Sequence, residues 1–178
     1  APYALGQDIF RNDARATVDL EKLYGGLLYA PKDSDLRINA SVGRQNFTLN
    51  DGFLISQYAS QWNVGTRPGV YLAPRTALDM SGLLTVRSGP WVSTSFYLDP
   101  NEYEPVDTDT RVVGTNLRYN FDERIHADAT FYGVTRSDFL YFLPDQAPQT
   151  RDGLRLAAGH LRWADPDVLP GSVNANSL

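Results

Sequence analysis

The chain has 178 residues, 42% of them hydrophobic, and no cysteine. That is enough for one domain with a core, and it excludes disulfides, thiolate catalysis and cysteine-ligated zinc. No apolar run approaches the roughly 18 residues of a spanning helix, so helical membrane insertion is excluded, whereas a β-barrel, whose strands alternate apolar and polar residues, is not.

The net charge of −5 is local. Asp99, Glu102, Glu104, Asp107 and Asp109 lie together without a base; removing these 5 from the 21 acids leaves 16, equal to the 16 bases. The balance elsewhere argues against a nucleic-acid surface. Fourteen of the bases are arginine, the side chain suited to forked pairing with carboxylates and phosphates. Ala1-Pro2-Tyr3 opens without a basic-then-apolar signal segment, as expected of a mature chain, an excised fragment or a protein without a signal.

Period-two alternation dominates, and sustained helical periodicity is hard to find. Strands are predicted at about 17–30, 36–47, 77–87, 91–99, 110–121, 125–136 and 152–163. Residues 1–16 and 164–178 are expected to be irregular within a single unit spanning 1–178. Several predicted strands run to about ten residues or more, long for a globular sheet. At roughly 3.3 Å per residue and a tilt near 45°, such a strand covers about 25 Å, the height of an outer-membrane apolar band.

The predicted connections are Pro31–Asp35, 48–76, Ser88–Pro90, Pro100–Asp109, Asp122–Arg124 and 137–151, short and long in strict alternation. Outer-membrane barrels place tight turns on one side and long loops on the other. Seven strands is an odd number. An eighth is expected from 1–12 or from within 48–76, unless the chain is part of a larger barrel. Residues 48–76 are long for an unstructured connection and are expected to fold inward as a constriction or to hide a strand pair.

Two hairpins allow a check of faces. A three-residue loop at Asp122–Arg124 sets Phe121 opposite Ile125, Tyr119 opposite Ala127 and Arg118 opposite Asp128. The outward set is then Val113, Thr115, Leu117, Tyr119, Phe121, Ile125, Ala127, Ala129, Phe131 and Gly133. Gly114, Asn116, Arg118, Asn120, His126, Asp128, Thr130, Tyr132, Val134 and Arg136 point inward. A loop at Ser88-Gly89-Pro90 pairs Val86 with Val92, Leu84 with Thr94, Gly82 with Phe96 and Met80 with Leu98. It leaves Asp79, Ser81, Thr85, Arg87, Trp91, Ser93, Ser95 and Tyr97 on the wet face, with Phe96 packed over Gly82. Aromatic residues near strand ends (Tyr29, Phe47, Trp91, Tyr119, Phe121, Phe131, Phe139, Tyr141, Phe142 and Trp163) suit interfacial girdles, or equally the rim of a soluble sheet.

At residues 42–55, VGRQNFTLNDGFLI, a strand ends in Gly43-Arg44-Gln45 and passes through a short polar-apolar stretch to Asp51-Gly52; Trp62 and Arg67-Pro68-Gly69 follow. This arrangement resembles the alginate-export family of outer-membrane porins, loosely over 36–136 and most strongly over 36–99. The resemblance implies a large antiparallel barrel that passes a polyanionic polysaccharide, or related small solutes, through an arginine-lined lumen.

The site residues expected on a solute path are Arg37, Arg87, Arg118, Asp128, Arg136 and Arg162, with Arg124 beside them. A basic ring would select anions, and pairing of the same arginines with Asp79 and Asp128 is the structural alternative. The acidic stretch DPNEYEPVDTDT offers hard oxygen ligands but not the spacing of a calcium loop, so a solvated external loop is expected. His126 and His160 are read as hydrogen-bonded wall residues; a hydrolytic role with Ser93, Ser95 or Ser137 has no spacing motif behind it. The expectation is an antiparallel barrel in a Gram-negative outer membrane that acts as a channel, not an enzyme, without metal or cofactor. Its partners would be the lipid bilayer and anionic or sugar-like solutes. Two alternatives stay open: a soluble sandwich or jelly roll binding carbohydrate or a protein, and a small closed barrel with a structural or hydrolytic role.

Overall fold

The computed structural model describes residues 20–52, 54–55, 77–100, 102, 107–141 and 147–163. It is all-β apart from one short 3-10 turn at Asn50–Gly52. The strands are β1 (Leu23–Tyr29), β2 (Arg37–Arg44), β3 (Met80–Ser88), β4 (Trp91–Asp99), β5 (Arg111–Asn120), β6 (Ile125–Arg136), β7 (Leu140–Tyr141), β8 (Gln149–Thr150) and β9 (Arg155–Trp163). Seven of them form one antiparallel sheet in the order β1-β2-β3-β4-β5-β6-β9, a plain meander, and β7 and β8 make a separate small hairpin. The segments predicted at 137–151 and 152–163 thus hold that hairpin and β9, and the predicted ends at 1–16 and 164–178 lie outside the described residues.

Short and long connections alternate as the sequence indicates: 30–36, 89–90 and 121–124 at one end, and 45–79, 100–110 and 137–154 at the other. Among the described residues β1 pairs only with β2 and β9 only with β6, so the sheet is open at two edges. No eighth long strand lies in the described part of 48–76. That part holds the 3-10 turn and a single bridge between Leu49 and Ile55; residues 1–12 and 56–76 lie outside the described residues.

The β5–β6 hairpin has the predicted register, with Arg118 opposite Asp128 and Tyr119 opposite Ala127. None of residues 121–124 has a positive φ. A carboxylate replaces the usual glycine: Asp122 Oδ1 accepts the backbone N–H of Arg124 and of Ile125, both at 2.7 Å, while Phe121 N–H donates to the Ile125 carbonyl. These bonds, that from Arg124 first, hold the Asp122 carboxyl below the ordinary carboxylate range.

The β3–β4 hairpin differs from the expected register by one residue. Its turn is the pair Gly89-Pro90, with Ser88 opposite Trp91, Leu84 opposite Ser95 and Gly82 opposite Tyr97. Gly89 at φ 54° followed by proline, whose ring holds φ near about −65°, suits the two-residue turns that match strand twist. A one-residue slip inverts the faces of β4. Val92, Thr94, Phe96 and Leu98 therefore join Ser81, Leu83 and Thr85, whereas Trp91, Ser93, Ser95 and Tyr97 join Leu84 and Val86. The expected packing of a ring over glycine does occur, one strand further along. Phe96 is opposite Gly114, and a Cβ on Gly114 would come within 2.5 Å of Phe96 Cζ and 2.7 Å of the Phe131 carbonyl oxygen.

Residues 45–52, 54 and 55 lie against one side of the sheet, the covered face. Leu49, Phe96 and Leu98 form its apolar cluster, flanked by Phe47, Ile55, Leu78, Leu83, Val112 and Tyr132. The rings of Phe47 and Phe96 are 5.1 Å apart, so Phe47 packs inside rather than standing in a girdle. Asn50 takes the left-handed conformation that asparagine tolerates, and it is buried. On the opposite, bare face Leu84, Leu117 and Phe131 are exposed (42%, 43% and 56%), where a sandwich would bury them between two sheets.

Two expectations follow. Gly114→Ala should lower stability by about 1–3 kcal/mol through overpacking, while Gly82→Ala, with only Tyr97 Cβ at 3.9 Å, should change it by less than about 0.5 kcal/mol. Denaturant midpoints check both, and the reverse order would restore the register expected from sequence. For Asp122 the folded pKa lies below the unfolded one, so its contribution is complete above the unfolded value of about 3.9 and fades as pH falls through the folded value. Asp122→Asn should therefore be less stable than the parent at neutral pH, with the gap closing as unfolding is measured in increasing acid.

Candidate functional site

Strand register gathers the polar residues of the covered face into rows. One row crosses six strands: Arg37, Arg87, Val92, Arg118, Asp128 and His160 stand opposite one another in turn from β2 to β9. Toward the short-turn end, Asn120, His126 and Arg162 form the next row. On the other side comes a row of Asn39, Thr85, Thr94, Asn116 and Thr130, and beyond it the apolar cluster. The covered face thus grades from charged groups, through amides and hydroxyls, to a greasy end closed by residues 45–52, 54 and 55.

Asp128 is the hub of the charged part. Its carboxylate is fully buried; Oδ1 accepts Arg118 Nε at 2.8 Å, and Oδ2 lies 3.5 Å from both His126 Nε2 and His160 Nδ1. Thr130 Oγ1, two residues along the same face, accepts Asn116 Nδ2 at 2.8 Å and Asn50 Nδ2 at 3.2 Å. Asn50 Oδ1 in turn accepts Arg118 Nη2 at 3.4 Å. One polar network therefore ties the inward segment to β5 and β6, and Arg118 belongs to both halves of it.

Of the residues expected on a solute path, Arg37, Arg87, Arg118, Asp128 and Arg162 share the covered face. Arg37 and Arg87 are exposed and directly opposed, which sets two positive charges side by side on this face. Arg118 and Asp128 are paired with each other, as the structural alternative holds. Arg136 does not belong to this set. A bulge between Arg111 and Val112 sets it opposite Arg111 at the long-loop end, where Asp109 binds both guanidinium groups at 2.6 and 2.8 Å. Arg124 lies in the exposed β5–β6 turn.

The described residues of the acidic connection, which exclude 101 and 103–106, are bonded among themselves. Glu102 accepts the N–H groups of Thr108 and Thr110, Asp107 accepts that of Asp109, and Arg111 lies 3.8 Å from Asp99. Ser93 and Ser95 are on the bare face, opposite to the histidines, and Ser137 is hydrogen-bonded to Thr110, so none stands as a nucleophile beside His126 or His160. The cluster of both histidines around Asp128 was not legible by motif; only the register across three strands assembles it.

The bare face is the complement. Its charged strand residues are Arg44, Asp99, Arg111 and Arg155, each the terminal residue of its strand at the long-loop end, with Arg136 beside them. Between them and the short turns the face carries Leu27, Val42, Leu84, Leu117, Phe131 and Leu161, 42–79% exposed. At the short-turn end Trp91, Tyr119 and Phe121 form an edge-to-face chain with centroids 4.7 and 4.9 Å apart, and Trp163 is 68% exposed beside Ile125.

Comparison with known protein families, curated proteins and solved structures finds no match. Removing Arg118 would leave the buried Asp128 charge without its partner. Arg118→Met should cost on the order of 3 kcal/mol, and Arg118→Met with Asp128→Asn should recover much of that loss. Equal destabilisation by the single and double variants in denaturant titrations would show that the pair is not the source.

Proposed function

We propose that this sheet is a section of an outer-membrane β-barrel whose bare face meets lipid and whose covered face lines a path for anionic or sugar-like solutes. The carrying observation is the division of the two faces. A band without charge spans the bare face between charged strand ends and a cluster of aromatic residues, the pattern of a lipid-facing wall with an interfacial girdle. Large apolar side chains exposed in such number on one face suit contact with lipid better than contact with water.

Strand direction supports a larger closed structure. In a seven-stranded meander β1 and β9 run the same way, so antiparallel closure requires an odd number of further strands between these edges. Those strands would come from outside the described residues, and seven alone would leave no water-filled lumen. Arg37 and Arg87, opposed and exposed at the short-turn end, supply the field that favours anions. Residues 45–52, fixed to the wall through Asn50, narrow the interior. The resemblance of residues 42–55 to alginate-export porins points the same way, with an acidic polysaccharide or its small relatives as the solute.

Reconstituting the natural protein in planar bilayers under a salt gradient tests this. The parent should conduct with an anion preference, and Arg37→Gln with Arg87→Gln should reduce the anion-to-cation permeability ratio roughly severalfold. Absence of conductance, or selectivity indifferent to both substitutions, would remove the proposed role.

A further inference from the structure

We propose that His126, Asp128 and His160 bind one divalent first-row transition cation, a donor set of two imidazoles and a carboxylate that Zn²⁺ satisfies. The site rests on geometry alone and does not depend on the transport reading. Asp128 on β6 and His160 on β9 are directly opposed, and His126 lies two residues before Asp128 on the same face. The three ligand atoms all lie within 4.8 Å of one another.

The spacing suits an ion better than a hydrogen bond. An N–H donor approaches a carboxylate oxygen to about 2.7–2.9 Å, yet the hydrogen bond between His160 Nδ1 and Asp128 Oδ2 is stretched to 3.5 Å and His126 Nε2 stands at the same distance. Two ligands of one tetrahedral ion, at bond lengths of about 2.0–2.2 Å, are separated by about 3.4 Å. The widest separation allowed within the cluster is 4.8 Å, so closing on a tetrahedral ion draws the imidazoles together by up to about 1.4 Å, a side-chain rotation and not a backbone change. His126 Nε2 is buried and makes no hydrogen bond, which leaves a lone pair or proton aimed at the carboxylate without a normal partner.

The surroundings fit as well. Arg118 Nε donates to Oδ1, orients the carboxylate and leaves Oδ2 available, the role of an outer partner that holds a metal ligand in place. The positive charges of Arg118, and of Arg162 in register with His126, oppose a cation. They make the site weaker than one built from three histidines. Two nitrogens and one oxygen exclude the hard ions Mg²⁺ and Ca²⁺ as preferred occupants and leave at least one coordination position for water or a passing solute.

The test uses untagged protein in detergent, titrated with ZnCl₂ by calorimetry and with CoCl₂ by visible absorption. We expect one ion per chain, ligand-field bands for Co²⁺, no comparable binding of MgCl₂ or CaCl₂, and at least about tenfold weaker Zn²⁺ binding in His126→Ala and in His160→Ala, each with an unchanged far-ultraviolet circular dichroism spectrum. The chain has 2 histidines, so a second readout needs no variant: saturating Zn²⁺ should protect both from acylation by diethyl pyrocarbonate. Failure of the parent to bind Zn²⁺, binding that both substitutions leave unchanged, or acylation that Zn²⁺ does not slow would each overturn the site.

Discussion

Every property of this molecule follows from register, the constraint that directly opposed residues on antiparallel strands share a face. Arg118 opposite Asp128, and Asp128 opposite His160, place three charged or ionisable groups in line across three strands. The same constraint puts Leu117, Ala129 and Gly159 in a row on the other side. Sliding one strand by a residue would carry the arginines to the bare face and leucines into the network. The turns therefore control chemistry as well as topology.

Much of this is readable from sequence because alternation is a local signal. The strands of β5 and β6, their faces and their register follow from the positions of Val113 to Phe121 and Ile125 to Gly133 with no long-range information. The short and long connections are legible for the same reason. What fails is where local signals conflict. Ser88-Gly89-Pro90 accommodates loops of two or three residues, and Trp91-Val92-Ser93-Thr94-Ser95-Phe96 offers comparable faces at either parity. The decision lies in the positive φ of Gly89 and in the fit of Phe96 over Gly114, a contact with a strand that the hairpin does not contain. Arg136 is displaced by a bulge that no residue type announces.

The cluster around Asp128 is a non-local construction. His126 and Asp128 are visible as neighbours on one face, but His160 arrives from β9 after the connection 137–154 and its small hairpin. Asn50 comes from the other direction, out of the β2–β3 connection, and reaches Thr130. Burying a carboxylate is tolerated here because Arg118 supplies a charge-assisted bond, and Arg118 is itself steadied by Asn50. The inward segment and the charged row thus depend on each other. The position of the network on the covered face places ionisable groups where a barrel would be wet.

In the proposed wall, alternate residues of one strand meet lipid and an enclosed interior. The chain has no cysteine, so single cysteines carrying a nitroxide can be placed along β5 without removing native ones. In lipid vesicles, collision with oxygen and with a water-soluble nickel complex should alternate with a period of two over residues 113–120, with Gly114 and Arg118 left in place. Positions 113, 115 and 117 should be open to oxygen and closed to nickel, and 116 and 120 should be the reverse or shielded from both. Uniform access to nickel along the strand would contradict the membrane assignment and the solute path together.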